Sequence, residues 1–314
     1  MLSQFKISKN TLKAVLRLVQ GQTHTCSARG FSSLTSTSGS PPPSSLVLSS
    51  SKNGVFTLKM NNPTKLNAWS GGMIDALREG FITAARDENC KVVILTGEGS
   101  YYCAGVSLAD MISPMHPRKL RAFLVDSNVK LFETFLSFPK PILVAVNGPA
   151  IGASVTSATL CDGIFASENA TFSTPFAALG ITPEGCSSIL FPRRYGVASA
   201  KRMLEENWRP TAAEALKIGL VQRVVPSADL LPAAQAQAEV WAKEGRVRSL
   251  VADGSLAELR AVNAKESSDL ADAFLSPHFL NAQQAFLAKK GKYTAAALFW
   301  AISKSRPLWK RLLN

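Results

Sequence analysis

Two patterns of apolar positions alternate along the first two thirds of the chain. Residues 92–95 and 141–146 are short, almost wholly apolar runs bounded by charge, glycine or proline, which is typical of strands buried in a parallel sheet. Residues 70–87 and 117–138 instead repeat Leu, Phe, Met or Ala every three or four positions, which predicts amphipathic helices. The order of these runs predicts repeated strand, turn and helix units.

The ends of the predicted folded region carry different patterns. Residues 46–49 and 55–60 have the composition of strands joined at Asn53-Gly54, which is a hairpin signal. From Asp229 onward the pattern is helical and rich in Ala, Leu and Glu, with one break at Ser276-Pro277. The predicted fold class is therefore α/β, with a helical C-terminal domain.

Charge is distributed unevenly along the 314 residues. The formal net charge is +13, yet no Asp or Glu precedes Asp75 and none follows Asp272. The middle of the chain is therefore close to neutral, which argues against a general nucleic-acid surface there. The excess lies at the two ends, in five basic residues of the first forty and seven of the last twenty-six: Lys6, Lys9, Lys13, Arg17, Arg29, Lys289, Lys290, Lys292, Lys304, Arg306, Lys310 and Arg311.

Residues 1–40 have the composition of a targeting segment and linker. In a helix over residues 1–19, Leu and Val would lie on one face and Lys and Arg on the other, and acid-free, Ser/Thr-rich sequence follows. This composition predicts a mitochondrial transit peptide and a location in the mitochondrial matrix. The other interpretation is a basic tail that binds something acidic. A peroxisomal destination is less expected, because the chain ends in Leu312-Leu313-Asn314 rather than in a Ser-Lys-Leu type of address.

Cysteine and histidine spacing argues against a metal site. The five cysteines lack any CxxC spacing, and apart from His24 in the predicted targeting segment only His116 and His278 occur. We therefore expect reduced thiols, no metal and no redox cofactor. No apolar run reaches the length that a membrane-spanning helix needs.

One stretch concentrates the candidate chemistry. The strand-like residues 141–146 run into a glycine turn at 147–153 and then an apolar helix, so free N–H groups at the helix start should converge on one point and suit an oxyanion. Residues 96–108 form a second strand-to-glycine turn. Between Thr171 and Phe191 the only acid is Glu184, and an isolated carboxylate in apolar surroundings is either a misfit or a catalyst.

These motifs resemble the crotonase, or enoyl-CoA hydratase/isomerase, superfamily. The resemblance covers roughly residues 46–226 and is carried, in the expected order, by residues 65–68, 102–108, 140–152, 161–162 and 212–221. It implies a spiral of ββα turns over residues 46–228 and a helical trimerisation domain over residues 229–292. It also implies an acyl-CoA substrate, with no further cofactor, and a homotrimer or dimer of trimers.

The resemblance also assigns roles to individual residues. The thioester oxygen would lie between the backbone N–H groups of Val106 and Ala153, and Glu184 would be the catalytic base. Hydratases of this superfamily use two Glu, and those positions are Thr156 and Phe176 here. The residues implied to contact substrate or CoA are Lys65, Ala68, Ala104, Gly105, Val106, Ser107, Leu108, Gly152, Lys289 and Lys290.

A lone Glu184 favours a Δ3,Δ2-enoyl-CoA isomerase of fatty acid β-oxidation, because one carboxylate suffices for a 1,3-proton shift. Two alternatives remain: hydration or another crotonase-type acyl-CoA reaction, and a non-catalytic scaffold or RNA-binding protein. Residues 293–314 form a basic amphipathic tail beyond the usual family end. It could lie on a membrane or a partner, or pack in a trimer interface, and the sequence does not choose between these.

Overall fold

The computed structural model describes residues 46–107, 115–250 and 255–310. Its main sheet has the strand order β1-β2-β3-β4-β6-β8, in which only the β1–β2 pair is antiparallel. A second sheet pairs β5 with β7 in parallel. The strands are β1 Val47–Lys52, β2 Val55–Met60, β3 Val92–Gly97, β4 Ile142–Val146, β5 Ala150–Ile151, β6 Gly163–Ser167, β7 Phe172–Ser173 and β8 Arg223–Val225.

Helices follow most strands and make up the C-terminal region. Several begin where a side chain caps the first turn: Ser70 accepts from the Met73 N–H, and Thr211 forms a capping box with Glu214. The helices are α1 Gly71–Arg86, α2 Pro117–Leu136, α3 Ala153–Ala158, α4 Phe176–Leu179, α5 Ser187–Tyr195, α6 Val197–Leu204, α7 Ala212–Lys217, α8 Leu230–Lys243, α9 Leu256–Phe274, α10 Pro277–Lys289 and α11 Tyr293–Trp309.

Both faces of the main sheet are buried. Along β3, Val93 and Leu95 belong to the larger hydrophobic cluster, whereas Val92 and Ile94 pack in a second cluster with Trp241 of α8. This two-sided burial explains why the strands are continuous apolar runs rather than alternating ones. The predicted α/β class with a helical C-terminal region is confirmed.

The prediction of a single break after Asp229 is wrong. Besides the break at Ser276-Pro277, the helices are interrupted between α8 and α9 and between α10 and α11. Gly245 and Gly291 lie just beyond the ends of α8 and α10 with φ of +61° and +72°. Glycine adopts this left-handed conformation without strain, and it ends a helix. Helices α4 and α5 were also not predicted, because both are short and their sequences contain or adjoin proline.

The tail at residues 293–310 is a helix that packs on its own chain. Phe299 of α11 is buried against Phe279 of α10, and Trp309 is buried beside Leu120 and Leu124 of α2. Leu308 remains exposed. The apolar side of the tail is thus largely used inside this chain rather than left for a membrane. In the described residues, no helix is both long enough and apolar enough to cross a bilayer.

Candidate active site

A cavity of about 120 Å³ lies where the two glycine turns meet the helical region. Its wall is almost wholly apolar and includes side chains from α2, α4 and α9. Among the described residues that form it, Glu184 is the only ionisable one. The wall consists of Ile74, Ala104, Gly105, Val106, Leu124, Ser127, Asn128, Leu131, Ile151, Gly152, Ala153, Pro175, Phe176, Leu179, Ile181, Glu184 and Phe274.

The first glycine turn is held to neighbouring backbone on both sides. The Ala104 N–H donates to the Leu66 carbonyl at 3.0 Å, and the Trp69 N–H donates to the Gly105 carbonyl at 2.8 Å. Gly105 has φ of +85°, and a Cβ there would lie 2.9 Å from the Ile151 carbonyl oxygen. Only glycine fits this turn, because a side chain would push the two glycine turns apart.

The second turn opens α3. Gly152 has φ of 60° and ψ of −125°, a conformation available only to glycine, and its N–H donates to the Ser173 carbonyl at 2.7 Å. The Ser154 hydroxyl accepts from the Ile151 N–H at 2.9 Å and lies 3.3 Å from the Cys103 carbonyl. Ser154 therefore links the second glycine turn to Cys103, the residue just before the first glycine turn.

Two backbone N–H groups in this cavity wall have no acceptor among the described residues. Val106 and Ala153 both line the cavity, and within the described part of the chain neither N–H donates to another residue. Ala153 is the first residue of α3, where the helix itself supplies no acceptor and the helix dipole is positive. These two groups are suited to hold an oxygen on which negative charge develops.

Glu184 is buried, with 6% of its surface exposed. Burial, and then repulsion from the nearby Glu266 carboxyl, raises the pKa of Glu184 from 4.5 to about 8. Such a carboxyl is poised to exchange a proton near neutral pH.

The two positions at which hydratases carry Glu differ in their surroundings. Thr156 is buried, and its hydroxyl donates to the Ala153 carbonyl at 3.3 Å instead of entering the cavity wall. Phe176 is 2% exposed and forms part of the wall. An apolar ring therefore lies where a second carboxylate would be needed to hold water.

The structure brings together Ala104, Gly105, Val106, Gly152, Ala153 and Glu184 of the residues predicted to bind substrate or to catalyse. The other predicted residues that the structure describes do not form the cavity wall. Ala68 and Ser107 are half-buried beside the first turn, while Lys65, Lys289 and Lys290 are exposed. Leu108 lies outside the described residues.

Sequence reasoning missed two polar groups near Glu184. Asn128 lines the cavity and donates from Nδ2 to the Ser267 hydroxyl at 3.1 Å. Glu266 lies on α9 and is 5% exposed. Both occupy positions that continue a stripe of apolar residues, Asn128 after Leu124 and Glu266 before Leu270. A polar residue on an otherwise buried helical stripe was the available signal.

Across residues 46–107, 115–250 and 255–310, no group of three His, Cys, Asp or Glu side chains is placed to hold a metal ion. The described cysteines are buried and unpaired, and burial is the largest cause that raises the pKa of the Cys103 thiol to about 12. That thiol lies beside the first turn, and at neutral pH it is not a nucleophile.

Known proteins are similar to this chain in sequence and in fold. The family model described as enoyl-CoA hydratase/isomerase matches residues 50–288. The chain is 35% identical over 256 residues to human enoyl-CoA delta isomerase 2, covering 77% of this chain and 63% of that protein. It is 32% identical over 260 residues to mouse peroxisomal enoyl-CoA delta isomerase 3, covering 78% and 79% of the two chains.

A solved structure supports the same grouping. The enoyl-CoA hydratase/isomerase from Pseudoalteromonas atlantica superimposes with a TM-score of 0.67 at 30% identity, covering 78% of this chain and 97% of that one. The family model's match, residues 50–288, includes both glycine turns, Glu184 and the C-terminal helices α8, α9 and most of α10. Family match, fold and cavity agree, and the chain belongs to the enoyl-CoA hydratase/isomerase, or crotonase, family.

Proposed function

We propose that this protein is a Δ3,Δ2-enoyl-CoA isomerase, which moves the double bond of a 3-enoyl-CoA to give the trans-2-enoyl-CoA. The observation that carries the proposal is the cavity itself: within the part of the chain that the structure describes, Glu184 is the one ionisable residue of its wall, and two N–H groups that donate to no described residue line the same space. The relatives named as enoyl-CoA delta isomerases support it. The chain spans only 63% of the human relative's length, so the comparison supports the reaction type and not every property of that protein.

The reaction needs one base and one oxyanion site. The N–H groups of Val106 and Ala153 donate hydrogen bonds to the thioester oxygen, and ionised Glu184 removes a proton from C2. The C2–H electron pair moves into a dienolate whose charge rests on the thioester oxygen. The protonated Glu184 then returns the proton to C4, the C2–C3 double bond forms, and the carboxylate is regenerated. Each oxyanion donor contributes about 3 to 4 kcal/mol of transition-state stabilisation.

The apolar wall serves this proton shift in two ways. It raises the pKa of Glu184, so that the carboxyl both accepts and returns a proton near neutral pH. It also keeps water away from the dienolate, so the proton returns to carbon. Hydration requires a water held by two acids, and Phe176 fills one of those positions.

The test is an assay of the purified protein on 3-enoyl-CoA and 2-enoyl-CoA substrates of several chain lengths, scored for isomer and for hydrated product together. We expect conversion of 3-enoyl-CoA to trans-2-enoyl-CoA, with much slower formation of 3-hydroxyacyl-CoA. Hydration at a comparable rate would favour the hydratase alternative. Absence of turnover together with salt-sensitive RNA binding would favour the non-catalytic alternative.

The pH dependence of kcat/KM should report Glu184. The base must be ionised, and its pKa is raised to about 8, so at pH 7 only about a tenth of the free enzyme is competent. We therefore expect kcat/KM to rise as the pH rises, with an apparent pKa near 8, and to level off above it. A profile that is flat between pH 6 and 9 would contradict this assignment. Initial rates in overlapping buffers at constant ionic strength measure it.

Several finer expectations stay predictions. A mitochondrial location depends on residues 1–40, which lie outside the described residues. The place in fatty acid β-oxidation, the homotrimer or dimer of trimers, and the contact of Lys65, Lys289 and Lys290 with CoA phosphates are carried over from the family resemblance.

A further inference from the structure

Glu266 is a buried acid that the proposed reaction does not use. It lies on α9, and both of its carboxylate oxygens accept backbone N–H groups from another part of the chain. Oε2 accepts from Cys186 at 2.6 Å, and Oε1 accepts from Ser188 at 2.9 Å. These donors begin α5, directly after Glu184. A carboxylate there also complements the positive end of the helix dipole.

The turn between Glu184 and α5 has a strained backbone. Gly185 and Cys186 both have positive φ, +65° and +62°, and the left-handed conformation is unfavourable for a cysteine. A Cβ at Gly185 would run into the ring of Phe132, so only glycine fits there. The turn persists because surrounding structure holds it.

Helix α9 contacts this turn at more than one point. Besides the two bonds to Glu266, the Cys186 thiol donates to the Leu259 carbonyl at 3.2 Å. On the other side, the Ser187 hydroxyl donates to the Glu184 carbonyl at 2.7 Å. Helix α9 therefore holds the turn that follows Glu184, and the first turn of α5 holds the Glu184 carbonyl.

We propose that Glu266 is a positioning residue: by accepting the Cys186 and Ser188 N–H groups, it fixes the strained turn that directs the Glu184 carboxyl into the cavity. The inference rests on the proposed function, in which Glu184 is the base. It also means that the C-terminal helices, through α9, take part in building the active site.

Charge adds a second effect. Repulsion from Glu266 contributes to the raised pKa of Glu184, after burial. The other ionisable groups around Glu266 are Asp269 and Lys265 on its own helix and the Cys186 thiol in the turn. Glu133 of α2 acts on that thiol as well. Burial raises the pKa of Cys186 to about 12, so the thiol stays neutral near pH 8.

The same two helices offer a matched control. Glu258 of α9 pairs with Arg193 of α5, with 2.6 Å between Oε1 and Nη2, at a position where both side chains are exposed to solvent. Glu258→Gln removes an ionic contact between α5 and α9 without touching the turn. It therefore separates general docking of the helices from the specific role of Glu266.

Steady-state kinetics of Glu266→Gln tests the proposal. A glutamine has the same shape, but its NH₂ group cannot accept an N–H, so one of the two bonds is lost. We expect kcat to fall about tenfold or more, with KM within about twofold of wild type. Because the repulsion is gone, the midpoint of the kcat/KM profile should move to lower pH. An unchanged midpoint, or an equal loss of kcat in Glu258→Gln, would overturn the proposal.

Glu266→Asp provides a second readout. It becomes the deciding variant in case Glu266→Gln does not fold. Aspartate keeps the charge but is too short to reach both N–H groups. We expect a lowered kcat with the pH midpoint close to that of wild type. Wild-type kcat in this variant would refute the positioning role.

A measurement without substrate separates this inference from the proposed function. The pH dependence of the unfolding free energy, compared between wild type and Glu184→Gln, isolates the titration of Glu184. The same comparison is then made in proteins that also carry Glu266→Gln or Glu266→Asp. We expect Glu184 to titrate at lower pH in the Glu266→Gln background and at the wild-type pH in the Glu266→Asp background. If Glu184 titrates at the same pH in all backgrounds, the role of Glu266 is overturned even if the wild type is an active isomerase. If isomerase activity alone is missing, only the proposed function is contradicted.

Discussion

Glu184→Gln is expected to lower the rate of isomerisation by about 10²- to 10⁴-fold, the range that a positioned general base supplies. The amide keeps the size of the side chain but accepts no proton, and among the described residues the cavity wall holds no other ionisable side chain to replace it. Substrate binding should change little, so the loss should appear in kcat. Glu168→Gln, at an exposed position away from the cavity, is the matched control and should keep full activity. Wild-type turnover in Glu184→Gln would refute the mechanism.

The same substitution should stabilise the fold at neutral and alkaline pH. Glu184 has a pKa of about 8 in the folded protein and about 4.5 when unfolded, so the stability associated with its neutral form is present below pH 4.5 and is lost as the pH rises to 8. At pH 7 this loss is on the order of 3 kcal/mol, from which the cost of burying an amide is subtracted. Urea unfolding at pH 5 and pH 8.5 should therefore show that the advantage of the variant grows with pH. A constant difference would contradict the raised pKa.

Gly152→Ala is the second substitution with a large expected effect, a fall in kcat of about 10²- to 10³-fold. A methyl group at Gly152 meets no atom within 4 Å, so its effect is not a steric clash. It instead disfavours φ of 60° with ψ of −125°, and relaxing that strain rotates the neighbouring Ala153 N–H away from the thioester oxygen. The substrate should still bind through its other contacts, which leaves KM less affected.

Gly219→Ala is the control for this backbone effect. Gly219 also has positive φ, +82°, and open space around it, but it does not form the cavity wall. It should lose stability, as Gly152→Ala does, and keep its kcat. A kcat for Gly152→Ala within twofold of wild type would show that the Ala153 N–H is not a donor in the reaction.

Much of the fold could be predicted from local sequence. The periodicity of residues 70–87 predicted α1, and the structure places the helix at Gly71–Arg86 with Ser70 as its cap. Buried strands were recognisable because a two-sided apolar environment leaves a continuous apolar run. In contrast, α5 was not recognised, since it begins after the strained residues Gly185 and Cys186, and the partner that stabilises its start is Glu266 on α9.

By itself, the sequence determined the α/β class, the two glycine turns, and the fact that Glu184 is the one acid in its neighbourhood along the chain. These properties depend on neighbouring residues, so composition and spacing are sufficient to predict them. Only the tertiary structure decided that the Val106 and Ala153 N–H groups share a cavity with Glu184, and that Phe176 lies in its wall while Thr156 does not. The pKa of Glu184 is also decided by the tertiary structure. Both the burial of its carboxyl and the nearness of the Glu266 charge depend on which distant segments pack around it.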